Sequence, residues 1–196
     1  LKPILLVTKT AKSGAEFRGG IVSYEKTKRE ILRLLNDSRS AAVTTMFDYY
    51  GLPRNFPGRA KPQGGDCHKR VDFVESEIAR DIGHRKFIPY LQLHEFEALL
   101  FCSPDEIAEK FYERGKAKHR EAVKRLEKIR SDFKTPEEIN DNPTTYPSRR
   151  LKNLIPDYRK ALYGPRITGA IGLARMRGDC PHFNDWISKI EASRPN

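Results

Sequence analysis

The chain has 196 residues, with 37 lysines and arginines against 26 acidic residues, and a formal net charge of +11. This length supports one good core, or a core domain with a smaller appendage. No apolar run approaches the ~18 residues of a membrane span, and three scattered cysteines exclude a disulfide framework, so we expect a cytoplasmic protein that does not enter a membrane.

The first part of the chain is predicted to form a strand–helix–strand unit. Pro3–Val7 is a short apolar run typical of a strand, and the polar, glycine-bearing segment Lys9–Gly20 is predicted to be an exposed loop. Ser23 is suited to cap a helix over Ser23–Asn36, whose apolar residues recur on one face. A second strand then follows over Ala41–Phe47, and a parallel crossover is the default connection.

Two buried-looking strands each run directly into acidic residues. Asp48 follows the strand Ala41–Phe47, and Glu95 and Glu97 follow the strand Phe87–Leu93. In an open parallel sheet, ligands bind outside the carboxyl ends of the strands. The two strands therefore predict one acidic, metal-binding rim.

A long loop and a helix connect these two strands. The loop Gly51–Gly65 is rich in proline and glycine and carries basic residues such as Arg54. A loop at the carboxyl end of a strand is where binding residues tend to lie, although a mobile surface loop is the alternative. Asp66–Ile82 is predicted to be a helix that ends at Gly83, and His94–Phe101 is expected to turn helical.

The chain beyond residue 103 is predicted to be helical. Lys116–Arg130 is a densely basic helix with a narrow apolar stripe, which suits either a solvated helix or a nucleic-acid groove. Thr135–Glu138 has the pattern of a capping box with proline at the first helical position. The predicted helices that follow are Ser148–Lys152, Arg166–Met176 and His182–Ala192.

Carboxylates at strand ends are the ligands that Mg²⁺ prefers in proteins. Two such ions can stabilise the attacking and leaving oxygens of a phosphodiester displacement, and Asp48 with Glu95 or Glu97 is suited to hold them. On a strand Glu95 and Glu97 share a face, whereas on a helix they diverge by about 200° and at most one faces the site. The alternative is that Asp48 and Glu95 cap neighbouring helices or turns.

Other polar residues have two interpretations each. His94 is a candidate general base or a hydrogen-bonded structural histidine. Arg149, Arg150 and Lys152 are candidates to bind phosphate at a helix N-terminus, or they form a solvated basic turn. The net charge of +11 predicts attraction to polyanions, nucleic acid first, with solubility or an acidic protein partner as alternatives.

Several runs of the sequence carry a family resemblance. They are residues 43–53, residues 56–58, Phe87–Phe101, Glu137–Asn140, Pro147–Arg150 and Cys180–Phe183. Together they resemble a TOPRIM-like bacterial family of domains of unknown function, DUF4276, over nearly the whole chain. The resemblance implies the fold of topoisomerase and primase catalytic cores: an α/β three-layer core with a mainly parallel sheet over residues 1–103, followed by a helical portion over residues 104–196.

The resemblance also implies an activity, namely a nuclease that uses Mg²⁺, or Mn²⁺, to cleave DNA or RNA. Relatives are often encoded beside ATPases in what look like phage-defence gene sets, which implies an ATPase partner. Asp48 matches the acid that opens the TOPRIM Asp-x-Asp motif, but Tyr50 stands where the second Asp is expected. Phe96 followed by Glu97 resembles the Phe-Glu of related nucleases, which favours Glu97 over Glu95 as a ligand.

The resemblance implies one more acid, on a strand upstream of Pro3–Val7, and this leaves open whether the numbered chain is active by itself. A non-catalytic adaptor or sensor that binds nucleic acid or an ATPase is the competing hypothesis, motivated by Tyr50 and by the expected upstream strand. The choice between DNA and RNA and the oligomeric state, a homodimer included, stay open.

Overall fold

A computed structural model describes residues 4, 7–10, 16–18, 21, 23–37, 39–61, 65–139 and 144–193 of the chain. Over these residues the fold is mixed α/β, with short strands in the first half and helices throughout the second. The chain divides into two compact units, one of residues 1–91 and 189–196 and the other of residues 92–188. Among the described helices, none combines the length and the apolar character that crossing a bilayer requires.

The described strands are all short. They are β1 (Val7–Thr10), β2 (Glu16–Arg18), β3 (Val43–Thr44), β4 (Phe47–Asp48), β5 (Phe87–Ile88) and β6 (Leu91–Gln92). β1 and β2 pair antiparallel. The prediction of a loop over Lys9–Gly20 is therefore wrong where these two strands lie. Backbone hydrogen bonds hold such a pair, and a polar sequence forms them as well as an apolar one does. Most of the predicted strand Pro3–Val7 lies outside the described residues.

The two longer predicted strands are each divided in the middle. β3 pairs with β5 in parallel, with Val43 opposite Phe87, as expected for the two strands that end in acidic residues. The parallel crossover from Pro3–Val7 to Ala41–Phe47 stays a prediction. The ladder then breaks at Pro89, which has no N–H to donate. Thr45 bridges the gap through its hydroxyl, which accepts from the Tyr90 N–H at 2.9 Å and donates to the Tyr90 carbonyl at 3.1 Å.

Two capped helices pack in the first unit, as the sequence predicted. α1 (Tyr24–Leu35) begins after Ser23, whose Oγ accepts from the Lys26 N–H at 3.4 Å, and α1 contacts β3. α2 (Cys67–Ile82) begins after Asp66 and contacts β5. It ends at Gly83, whose φ of +64° places it in the left-handed region that glycine tolerates best.

The second unit is mainly helical, and the described chain beyond residue 103 forms helices, as the sequence predicted. The α-helices beyond residue 103 are α3 (Pro104–Glu109), α4 (Ala117–Ser131), α5 (Pro147–Leu154), α6 (Lys160–Ile171), α7 (Leu173–Asp179) and α8 (Pro181–Ala192). The predicted helix Arg166–Met176 is two helices, because Gly172 with φ +78° separates α6 from α7. The predicted capping box is a single 3₁₀ turn, Pro136–Glu138, with no bond from the Thr135 side chain to the turn.

A buried 3₁₀ helix, Phe96–Cys102, lies at the centre of the second unit and contacts α3, α5, α6 and α7. A hydrophobic core cluster of the unit includes residues of its last turn. The members of that cluster are Leu100, Phe101, Ile107, Ala108, Leu126, Ile139, Leu151, Ile155, Tyr158 and Ile167. At the end of this helix the free thiols of Cys102 and Cys180 lie with their sulfurs 3.4 Å apart. The 3₁₀ helix is thus closely packed, and this packing fixes the residues around it.

Candidate functional site: a buried carboxylate pair

Two acidic side chains at the start of the 3₁₀ helix converge on one cation. Glu95 precedes the helix in an extended conformation, with φ −142° and ψ 154°, and Glu97 lies in its first turn. The Lys160 Nζ lies 3.5 Å from Glu95 Oε1 and 2.8 Å from Glu97 Oε2. Glu95 is extended and Glu97 is in the helix, so the pair matches neither the strand case nor the helix case of the sequence analysis, and both acids contact the same ammonium.

Glu97 is held in a fully buried position. Its side chain has no solvent exposure, and the Tyr158 hydroxyl donates to Oε1 at 3.2 Å. Burial raises the pKa of Glu97 above its usual range, the ammonium of Lys160 opposes that rise, and the nearby Glu95 adds to it. Burial and the charge of Glu97 likewise raise the pKa of the Tyr158 hydroxyl, so Tyr158 remains a donor.

Glu95 is held by the start of a helix. Its Oε2 accepts from the Ser148 N–H, in the first turn of α5, at 3.0 Å. The first N–H groups of a helix have no partner within the helix, and the helix dipole favours a negative charge beside them. The helix start that the sequence predicted for a phosphate thus holds a carboxylate of the protein itself.

The basic residues of α5 differ in what they contact. Arg150 is partly buried, donates from Nε to the Thr145 carbonyl at 2.6 Å and lies over the ring of Phe133 at 5.7 Å. Arg149 and Lys152 are exposed. Of these three candidates for phosphate binding, Arg150 therefore already supports the fold, while the other two face solvent.

Lys160 is placed by a close approach between α6 and the 3₁₀ helix. α6 begins at Lys160, and Gly164 lies one turn later. A Cβ at Gly164 would lie 3.3 Å from Phe96 Cε1, which is tight for a side chain, and 3.8 Å from the Tyr158 hydroxyl, which is an ordinary contact. Glycine lets the two helices approach, and the ammonium then reaches both carboxylates.

The remaining predicted residues lie in both units. His94 is buried beside Glu95 in the second unit, at 2% exposure. Asp48 and Arg54 belong to the first unit. Asp48 ends β4 partly buried and its carbonyl accepts from the Gly51 N–H at 3.2 Å, whereas Arg54 is exposed. The second unit thus unites Glu95 and Glu97 with two residues that the sequence did not indicate, Lys160 and Tyr158.

The chemistry of the pair suits a hard cation. Two carboxylates offer up to four oxygens, which Mg²⁺ and Mn²⁺ both accept as ligands. Lys160 has 47% of its side chain exposed and a flexible stem, so it can leave the carboxylates without unpacking the core. Glu95 and Glu97, in contrast, are fixed by backbone and hydroxyl donors.

The fold and the site together define a mixed α/β protein with a buried carboxylate pair. The chain matches the family described as a domain of unknown function (DUF4276) over residues 1–191, and it belongs to that family. This confirms the family membership that the sequence runs indicated. A search of curated proteins and a search of solved structures found no match to the chain. The family description states no activity.

Proposed function

We propose that the protein is a nuclease that uses Mg²⁺ or Mn²⁺ to cleave phosphodiester bonds of DNA or RNA, with Glu95 and Glu97 as metal ligands. One observation carries the proposal: two buried carboxylates converge on a single cationic nitrogen. A divalent ion bound there would supply Lewis-acid stabilisation of the phosphoryl oxygens and an activated water. Carboxylates and phosphates are the usual ligands of such ions.

The surrounding residues have separate tasks in this proposal. Tyr158 and the Ser148 N–H orient the two carboxylates through hydrogen bonds to Oε1 of Glu97 and Oε2 of Glu95. Lys160 supplies a positive charge beside them, where it would attract a phosphate oxygen of the substrate. His94, buried next to Glu95, is the candidate general base.

The energetic cost of Glu97 supports a functional role. A buried carboxylate whose pKa is raised destabilises the folded state at neutral pH, because the ionised form is poorly solvated. A structural role alone would be served better by a neutral side chain. Costs of this kind are typical of functional sites.

The wider assignment depends on the family resemblance. It supplies a TOPRIM-like core, Asp48 as a further metal ligand, and a role in cytoplasmic anti-phage defence with a partner ATPase. Arg54, Arg149, Arg150 and Lys152 are the corresponding candidates for contacts to substrate phosphates. The exposure of Arg54, Arg149 and Lys152 is compatible with that task.

A cleavage assay tests the proposal. The full-length protein is incubated with labelled DNA and RNA, single- and double-stranded, in Mg²⁺, Mn²⁺ or a chelator. We expect metal-dependent cleavage that falls at least about 100-fold in Glu97→Gln and strongly in Asp48→Ala. Asp185→Asn, the corresponding loss of an exposed carboxylate on α8 (Pro181–Ala192), should cleave like wild type. Equal cleavage by wild type and Glu97→Gln would rule the proposal out.

A non-catalytic binding module is the second candidate. Lys160 contacts both carboxylates, and an acidic pair with a counterion from the protein itself also suits a purely structural core. This adaptor would bind nucleic acid or an ATPase without cutting. Binding of nucleic acid without cleavage under every metal condition, in wild type and Glu97→Gln alike, would favour it.

A further inference from the structure

A row of four basic side chains lies on the exposed side of α4. The helix buries His119 and Leu126 on one side. The row on the other side, called the α4 cationic row, consists of Lys118, Lys124, Arg125 and Lys128, all exposed. Helical spacing spreads the row over about 15 Å, from a rise of about 1.5 Å per residue.

The α4 cationic row has no partner within the part of the chain that the structure describes. None of its four side chains takes part there in a hydrogen bond, an ion pair or a ring contact. Neighbouring cations behave differently. Arg114 contacts Asp105 and Glu109 at 2.7 Å each, Lys116 contacts Glu113 at 3.6 Å, and Arg130 donates to the Phe133 carbonyl at 2.7 Å. The charge of the row is therefore available to an external anion.

The exposed residues of α4 also indicate how such an anion is recognised. Besides the row and Arg120 they are Ala117, Glu121, Glu127 and Ser131, with no aromatic side chain among them. Single-stranded nucleic acid is usually held by stacking its bases on aromatic rings, which this surface lacks. Contacts to phosphates alone position a duplex without reading its sequence. A duplex advances about 3.4 Å per base pair, so the row is as long as about four steps.

The end of α4 leads toward the carboxylate pair. Phe133, two residues after the helix, lies under the guanidinium of Arg150 in α5. The first turn of α5 in turn holds Glu95 through the Ser148 N–H. The C-terminal end of α4 is thus linked through these two contacts to the turn that holds Glu95.

We infer that the α4 cationic row is a docking surface for the phosphate backbone of duplex nucleic acid, independent of sequence. The inference rests on the proposed function only in taking nucleic acid as the ligand class. It deepens that proposal by naming a duplex and the helix that binds it. It does not require a metal ion or cleavage, so the two can be tested apart.

The test is the salt dependence of binding, measured by fluorescence anisotropy of a labelled DNA duplex of about 20 base pairs in chelator. Each phosphate contact contributes about 0.9 to the slope of log affinity against log salt. The double variant Lys124→Gln/Lys128→Gln should bind more weakly and lose about 1.8 from that slope. Lys116→Gln, which removes a cation already paired with Glu113, should leave the slope unchanged. Circular dichroism confirms that each variant is folded.

A variant that removes a negative charge instead of a positive one makes the test stricter. Glu121 lies on the exposed side of α4 among the four cations, so Glu121→Gln should tighten binding. An unchanged slope in the double variant would overturn the inference, as would tighter binding of polyglutamate than of the duplex, which would assign the row to an acidic protein. The anisotropy assay is run in chelator and requires no cleavage. A failure to cleave in the earlier assay would therefore leave this result intact.

Discussion

Glu97 is the residue at which stability and proposed function oppose each other. Its carboxyl is fully buried, accepts from Tyr158 and is paired with the half-exposed ammonium of Lys160. Burial outweighs these contacts and raises its pKa. Between the ordinary pKa of 4.5 and the raised value, the folded state binds a proton that the unfolded state has lost. Stability contributed by this group is therefore complete below about pH 4.5 and falls as the pH rises.

Replacing Glu97 by glutamine should remove that dependence. The amide has nearly the same shape, accepts from Tyr158 and carries no charge to desolvate. We expect Glu97→Gln to be at least as stable as wild type at pH 7, with a gain of about 1.4 kcal/mol for each unit by which the pKa is raised. The measurement is urea unfolding at several values between pH 4 and pH 8.

The matched control is Glu127→Gln, an exposed acid of α4. Its stability should follow the wild-type profile throughout. If Glu97→Gln is instead less stable at pH 7 by more than its control, the carboxylate stabilises the fold and the argument from energetic cost is wrong.

Single residues also show where sequence reasoning stopped. Asp48, Glu95 and Glu97 were found because each follows a strand, and the caps Ser23 and Asp66 because each precedes an apolar helical pattern. Lys160 and Tyr158 carry no such signal. They reach Glu97 from more than sixty positions away in the chain, and only tertiary packing brings them there.

At the scale of elements, α6 and the 3₁₀ helix form the joint on which the site depends. Gly164 lies at their contact, where a Cβ would approach Phe96 to 3.3 Å. Gly169 lies in the same helix with no atom within 4 Å of an added Cβ. Substitutions at the two glycines can therefore distinguish the low helix propensity of glycine from the close packing between α6 and the 3₁₀ helix.

Alanine substitutions at both glycines should give different results. In a helix interior alanine is favoured over glycine by about 0.8–1.0 kcal/mol. We expect Gly169→Ala to gain that amount in free energy of unfolding, and Gly164→Ala to gain less or to lose stability because Phe96 must move. Thermal and urea unfolding of both variants measure this. An equal gain in both would show that the approach of the two helices is not tight.

The prediction of helices and strands was correct where the apolar periodicity is strong, and it was wrong where the strands are short and interrupted. α1, α2, α4 and α8 have clear apolar faces, and their bounds agree with the prediction within two residues at each end. The two longer strands were predicted as continuous because the sequence pattern does not show where they break. At the break the hydroxyl of Thr45 replaces backbone ladder bonds opposite Tyr90, and this leaves no sign in the alternation of residues. A two-residue strand is too short for its alternation to be seen.

At the scale of the whole molecule, the basic residues are of two kinds: some are paired within the fold, and others are available to a partner. The net charge of +11 predicts a polyanionic partner but does not say which cations are available. Many are bound within the fold: Lys28 to Asp81 and Arg114 to Asp105 are examples. Only the structure distinguishes these from the α4 cationic row. The same holds for the acids, since Glu137 caps α8 by accepting from the N–H groups of His182 and Phe183.

The central claim is that Glu95 and Glu97 form a divalent cation site, and direct Mn²⁺ titration followed by electron paramagnetic resonance tests it most directly. We expect a bound ion in the wild type, a loss of affinity of at least about 100-fold in Glu97→Gln, and no change in Glu127→Gln. Lys160→Gln should bind Mn²⁺ more tightly than wild type, because it removes the ammonium that contacts the same oxygens. Equal Mn²⁺ affinity in wild type and Glu97→Gln, with no gain in Lys160→Gln, would contradict the claim.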